Sequence, residues 1–287
     1  MRYVALLAMT ILAVGVARSD DSPVTIKVKK AGPGDVVKAT KIEKGSNKVT
    51  LSVNGMDDVK DQSATSKYVY TEEVLERPAG SKRPTKVKRT YETAESEKAG
   101  EKNDLGLAGK TVLIEKSGDE YSFTIDGKGV SGTAAELLGK EFRAKKEITE
   151  EDFLPTAAVK VGGTWKVDAT KLAKDLASDG LTADPEKSTA TGKLVKVYDK
   201  GGAKFGVIEI NMELAMTKVG GAQDIDLKAG SKMTVAVVLD MCIDGSRTAA
   251  TTKVNVKADL SGSVNGADLK IELTSATDGT AEDVKKK

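Results

Sequence analysis

Apolar and polar side chains alternate with a period of two over long stretches of this chain, and that pattern constrains the fold more than any motif does. Ile208, Ile210, Met212, Leu214 and Met216 share one face, while Glu209, Asn211, Glu213 and Thr217 share the other. A second apolar row holds Met233, Val235, Val237, Leu239, Met241 and Ile243. A third runs through Ala250, Thr252, Val254, Val256, Ala258 and Leu260, and a short fourth through Leu269, Ile271 and Leu273. Such a period places successive side chains on opposite faces of a strand, one face dry and one wet. The rows are separated by Gly220-Gly221, Asp244-Gly245-Ser246 and Asn265-Gly266. Residues of these types accept the positive φ of tight hairpin turns, and hairpins are antiparallel. Residues 188–275 therefore read as a meander, opening with a strand over 193–198. Its 233–243 row, at about 3.3 Å per residue, spans roughly 36 Å. Strands of that length twist and curl, and their apolar face needs a cover.

The N-terminal half carries a weaker version of the same signal. Val24, Ile26 and Val28 alternate, as do Val49, Leu51 and Val53; Tyr68 and Tyr70 follow, then Val87 and Tyr91. Val112 and Ile114 are expected to pair with Tyr121, Phe123 and Ile125 through a turn at Ser117-Gly118-Asp119. Residues 77–84 read as an exposed loop, and 95–104 as a mobile polar stretch. Helices are few and short. Thr133 to Glu136 fits a capping box, Asp168 or Thr170 caps a helix over 172–177 ended by Gly180, and a single turn covers 149–152. The expected fold class is mainly β: two antiparallel, curved β-sheet lobes with a few short covering helices. The lobes are an N-terminal one over 18–150 and a C-terminal meander over 151–287, with Trp165 plugging the seam and a disordered lysine tail at 285–287.

The N-terminus has the layout of a secretory signal peptide: Arg2, then an uncharged apolar run over 4–14, then small residues with Gly15 and Ala17 at a peptidase-compatible spacing. The apolar stretch is shorter than the roughly 20 residues that cross a bilayer. Residues 1–17 are thus read as a cleaved leader, the protein as secreted or periplasmic, with no stable membrane span after cleavage. No cysteine lies near the cleavage region, so acylation there is closed, and Cys242 is read as a small buried residue.

Composition then excludes chemistry. The chain has no histidine and one cysteine, which removes histidine-based triads, His-ligated zinc and an internal disulfide. Lys+Arg is 45 against Asp+Glu 43, a balance that argues against a nucleic-acid partner. Asp57, Asp58 and Asp61, and Glu150, Glu151 and Asp152, cluster in polar turns or at helix starts, where carboxylates are ordinarily solvated or pair with a helix N-terminus. Asp224 and Asp226 lack the EF-hand spacing. The glycine pairs at 127/129 and 201/202 lack the residues of a phosphate loop. Lys27, Lys29, Lys193, Lys196, Lys253 and Lys257 alternate with apolar residues and read as a wet face, or as a weak anion-binding patch. No catalytic, cofactor-binding or metal-binding residue is assigned, and no cofactor is expected.

Leu154-Pro155, Val159-Lys160-Val161-Gly162 and Trp165, with Gly139 and Phe142 upstream, resemble a segment of secreted, β-rich bacterial proteins of planctomycete-type envelopes, a family without an assigned activity. Gly163 departs from that pattern, which has a polar residue after the first glycine. The resemblance implies export and a β-rich build and transfers no catalytic residue.

Three functions fit these observations. The first is a non-enzymatic envelope protein of structural or interaction type, which predicts an exposed apolar patch or an open strand edge. The second is a periplasmic carrier of an apolar ligand, a lipid or a lipoprotein acyl chain. It predicts an apolar cavity of about 300 Å³ or more under the sheet, with Met212, Met216, Met233 and Met241 as adaptable lining. The third, a carboxylate-based hydrolase, requires acidic side chains converging in a cleft.

Overall fold

A computed structural model describes residues 22–118, 120–142, 149–177, 180–220 and 224–284. The expected leader over 1–17, the tail over 285–287, and the positions of Asp119 and Gly221 lie outside the described residues. The strands are β1 (Val36–Val53), β2 (Met56–Glu76), β3 (Lys86–Lys98), β4 (Glu101–Asp104), β5 (Thr111–Ser117), β6 (Glu120–Ile125), β7 (Lys128–Gly129), β8 (Thr164–Lys166), β9 (Leu181–Lys200), β10 (Ala203–Val219), β11 (Ile225–Asp226), β12 (Lys232–Cys242), β13 (Ala249–Val264) and β14 (Ala267–Asp283). Two helices, α1 (Gly132–Glu141) and α2 (Ala169–Ala177), and a 3-10 turn (Glu150–Phe153) complete the fold. The protein is mainly β, and every ladder between strands is antiparallel.

The two lobes read from the sequence are the two ends of one continuous sheet. Its order is β7-β6-β5-β3-β2-β1-β14-β13-β12-β10-β9-β8, with β4 beside β3 and β11 beside β10. Each half is a meander of neighbours in sequence. The halves join where the first strand meets the last, in unbroken register from Val37 opposite Asp283 to Ser52 opposite Asp268. The alternation explains the faces. Leu194, Ile208, Ile210 and Ile243 form one buried cluster, Leu214, Met216, Met233 and Leu260 a second, and Tyr68, Val87, Tyr91, Val112, Ile114 and Leu138 a third in the N-terminal half.

Turn chemistry sets the hairpins. Asn54-Gly55 and Asn265-Gly266 both have positive φ at each position, the two-residue turn that matches strand twist. The 95–104 stretch, expected to be mobile, is instead the end of β3 folded back onto β4, with Lys98 opposite Glu101. Strand β9 starts at Leu181, ahead of the expected opening. Pro185 has no N–H to give a ladder, and the register shifts there. Ser188 Oγ fills in by accepting the Ala215 N–H at 3.1 Å.

One expected strand and one expected cap differ. The 24–28 segment makes isolated bridges, Val24 to Val159 and Lys27 to Asp244, rather than a ladder, and buries Ile26 in the cluster of Leu194, Ile208 and Ile210. At α1 the cap position falls on Ser131, without a side-chain hydrogen bond, and not on Thr133. At α2, Asp168 is the cap: its Oδ1 accepts the Thr170 N–H at 2.9 Å.

The segment over 159–165 is a clamp on β9. Gly162 donates its N–H to Leu194 O at 2.7 Å, and the Leu194 N–H returns to Gly163 O at 3.1 Å. A Cβ on Gly163 would stand 2.9 Å from Lys160 O, so the second glycine is what lets the turn close. Trp165 lies over Gly192 of β9, where any side chain would collide with the indole. Its Nε1 donates to Phe153 O at 2.9 Å. Trp165 therefore packs within the C-terminal half, and the β1–β14 ladder forms the seam.

Candidate functional site

Along the sheet order, β3 and β10 are six steps apart. At about 4.8 Å per step they would lie roughly 29 Å apart in a flat sheet. They nevertheless line one cavity of about 600 Å³, together with β2 and β12. The sheet therefore curls, and the cavity sits on its concave side. One wall is apolar: Met212 and Leu214 of β10 with their register partners Val235 and Met233 of β12. Helix α2 adds Leu172 and Leu176, and the 3-10 turn adds Phe153. The opposite wall is charged and aromatic, with Tyr70 and Glu72 of β2, Arg89 of β3, Glu141 and Phe142 at the end of α1, and Arg77, Lys82 and Arg83 from the β2–β3 loop.

Arg89 organises that second wall. It is 3% exposed, on the core-facing side of β3 between Val87 and Tyr91. Its Nε and Nη2 donate to Glu72 Oε2 at 2.9 and 2.6 Å. Its Nη1 and Nη2 donate to the two oxygens of Glu141 at 2.9 and 2.8 Å, and Nη1 also donates to Tyr91 Oη at 3.2 Å. All five guanidinium N–H donors are accounted for. The guanidinium carbon lies 4.0 Å from the Tyr70 ring centroid and 4.9 Å from that of Phe142, a cation–π sandwich. Burial disfavours its charge, but Glu141 and Glu72 outweigh burial and hold the guanidinium pKa above its ordinary value. Burial also raises the Tyr70 and Tyr91 phenols, Arg89 opposing the rise. Arg89 thus cements α1 to the sheet and has no donor left for a ligand.

The loop over 77–84 exposes Pro78, Ala79, Gly80 and Lys82, as expected, and also lines the cavity with Arg77, Lys82, Arg83 and Pro84. Tyr121 Oη donates to Pro84 O at 3.1 Å, and Ser81 Oγ to Arg83 O at 2.5 Å. Lys82 reaches Asp152 Oδ2 at 3.5 Å. Asp152 closes the 3-10 turn by accepting the Thr149 N–H at 2.9 Å, and also pairs with Lys171 at 3.0 Å. The Thr149 N–H, then the Lys171 and Lys82 partners, hold its carboxyl well below the usual carboxylate range despite its burial. A second cavity of about 320 Å³, lined by Leu239, Met241, Ala250 and Ala281 among others, shares Arg77, Lys82 and Thr149 with the first.

The residues singled out by sequence divide. Met212 and Met233 line the larger cavity and Met241 the smaller; Met216 is packed in solid core. Cys242 is buried, its thiol donating to Asp244 Oδ1 at 3.1 Å. Asp57, Asp58 and Asp61 are exposed on β2, and Lys193, Lys196, Lys253 and Lys257 face solvent. Two carboxylates, Glu72 and Glu141, do converge in the cleft, but the Arg89 guanidinium fills the space between them. Among the described residues no group of His, Cys, Asp and Glu is arranged to hold a metal ion, and no helix is long and apolar enough to cross a membrane.

No family model matches the chain, and no curated protein matches it. Among solved structures, it aligns with an outer membrane channel from Pseudomonas putida F1 at 10% identity and TM-score 0.20, covering 90% of this chain and 98% of that one. It also aligns with a DUF1329 family protein from Desulfovibrio piger at 8% identity and TM-score 0.12, covering 85% of each. Scores this low carry no functional argument.

Proposed function

We propose that this chain is an exported, non-enzymatic protein of the cell envelope that holds the apolar chain of an amphiphile in the concave cleft of its sheet. One observation carries the reading: a cavity of about 600 Å³ with one wall built from Met212, Leu214, Met233, Val235, Leu172 and Leu176. Its size falls in the range of ligand sites, about 300–1,000 Å³. Unbranched thioethers in such a wall adapt to a flexible chain. Apolar surface facing a water-filled cleft costs about 25 cal/mol per Å², which an acyl chain would recover.

The interaction reading has one observation of its own. The β1–β2 hairpin tip leaves Val53 50% and Met56 72% exposed, opposite each other in register. Strand edges add a second: β8 pairs only Thr191–Lys193 of the 20-residue β9, and β2 has no β3 partner ahead of Ala64, so parts of both strands lack a ladder on one side among the described residues.

The test is titration with N-phenylnaphthylamine, a neutral apolar dye that fluoresces on leaving water. The expected result is a saturable rise in emission that Val235→Trp, which fills the cleft, weakens by about tenfold or about 1.4 kcal/mol. No saturable rise would overturn the reading.

A further inference from the structure

Charge along the cavity wall is not balanced locally, and the imbalance falls on the loop between β2 and β3. Of the four cations in the wall, Arg89 is spent on Glu72 and Glu141, and Lys82 is engaged with Asp152. Arg77 and Arg83 remain. Neither makes an ion pair with any described residue, and the Arg77 Nε is enclosed by protein without a hydrogen-bond partner. That Nε is shut off from the cavities as well as from solvent, so Arg77 presents its two Nη groups, not Nε, to the cavities it lines.

The position of this unpaired charge is informative. Arg77 lines both the larger and the smaller cavity, so it stands where the two adjoin, beside apolar walls on either side. Arg83 lines the larger one, facing the same cleft as Met212 and Leu214. A wholly apolar ligand would bury these guanidinium groups against hydrocarbon, which is costly. An amphiphile with a negative head would place two or more oxygens against planar forks that match carboxylate and phosphate geometry, and would leave its chain on the methionine-lined wall.

Resting on the proposed acyl-chain cleft, we infer that the ligand is an anionic amphiphile whose carboxylate or phosphate head is bound by Arg77 and Arg83. Lys82 contributes a nearby charge while tied to Asp152. Arg89 takes no part in head recognition.

The experiment displaces bound N-phenylnaphthylamine from the full chain with three probes of the same sixteen-carbon chain: palmitate, lysophosphatidic acid and neutral monopalmitin. Both anionic probes are expected to compete at least about tenfold more tightly than monopalmitin. Whichever of the two binds more tightly identifies the head as carboxylate or phosphate. The double variant Arg77→Gln/Arg83→Gln should lose this gap while still binding monopalmitin, and Arg77→Lys/Arg83→Lys should retain part of it. The wild-type gap should also shrink as salt rises from 50 to 500 mM, a readout that needs no variant. Monopalmitin competing as well as the anions would overturn the anionic head and leave the cleft reading intact. Failure of all three to displace the dye would overturn both.

Discussion

Arg89 shows how a charged side chain can be core. Its position between Val87 and Tyr91 puts it on the inward face of β3, and its register partner is Glu72. Glu141 arrives from the C-terminal end of α1, where a carboxylate opposes the helix dipole; the guanidinium offsets that cost. Removing the cation would strand two carboxylates in a partly buried wall. Arg89→Met is expected to destabilise the fold by about 3 kcal/mol, at the low end for broken buried pairs because both glutamates retain some exposure. For a chain of this size that is a fall in Tm of about 6–12 °C, measurable by circular dichroism. A change below about 2 °C would show that Arg89 is peripheral. The signal for this residue was present in the sequence, as an arginine at a core-facing step of an alternating row. Its partners were not legible, because Glu141 lies on a helix more than fifty residues away and only the folded sheet brings it near.

At the scale of elements, the cleft is shaped by short pieces rather than by long strands. The 3-10 turn, α2 and the 77–84 loop meet at Asp152, which caps the first and binds Lys171 of the second and Lys82 of the third. Its folded pKa is depressed. The stability it provides is therefore full above the unfolded carboxyl value of about 3.9 and is lost as pH falls through the lower folded value. Asp152→Ala should cost about 1 kcal/mol at pH 7. That difference from wild type should shrink steadily below about pH 4, as read by urea unfolding. A difference that is flat from pH 7 to pH 2 would contradict the assignment. The alternating rows and the Asn-Gly turn made the long strands legible, including the pairing of Ile114 with Phe123. The exposure of the 77–84 loop was legible, but the turning of Arg77, Arg83 and Pro84 toward the cavity was not, because arginines, lysine and prolines have the composition of solvent-exposed chain. Composition cannot register that a curled sheet offers such a loop a concave surface to fold against. The same blindness applied to Glu95 and its neighbours, whose polar side chains conceal a hairpin.

For the whole molecule, the decisive feature is that first and last strands pair. A meander in each half is legible from local alternation. The β1–β14 ladder is not, because the strands it joins lie at opposite ends of the chain, and period-two patterning says which face is dry but not which neighbour follows. That ladder makes one curved sheet of two meanders and brings Tyr70 and Arg89 across from Met212 and Val235. It creates a cleft with an apolar side and a cationic side, which neither half has alone. The claim that follows is that the cleft is occupied in the cell. Native mass spectrometry of the protein taken without detergent from the cells that make it tests it most directly. The account predicts a species heavier than the bare chain by the mass of one acyl-bearing lipid, absent from the Val235→Trp variant. A spectrum containing the bare chain alone would contradict it.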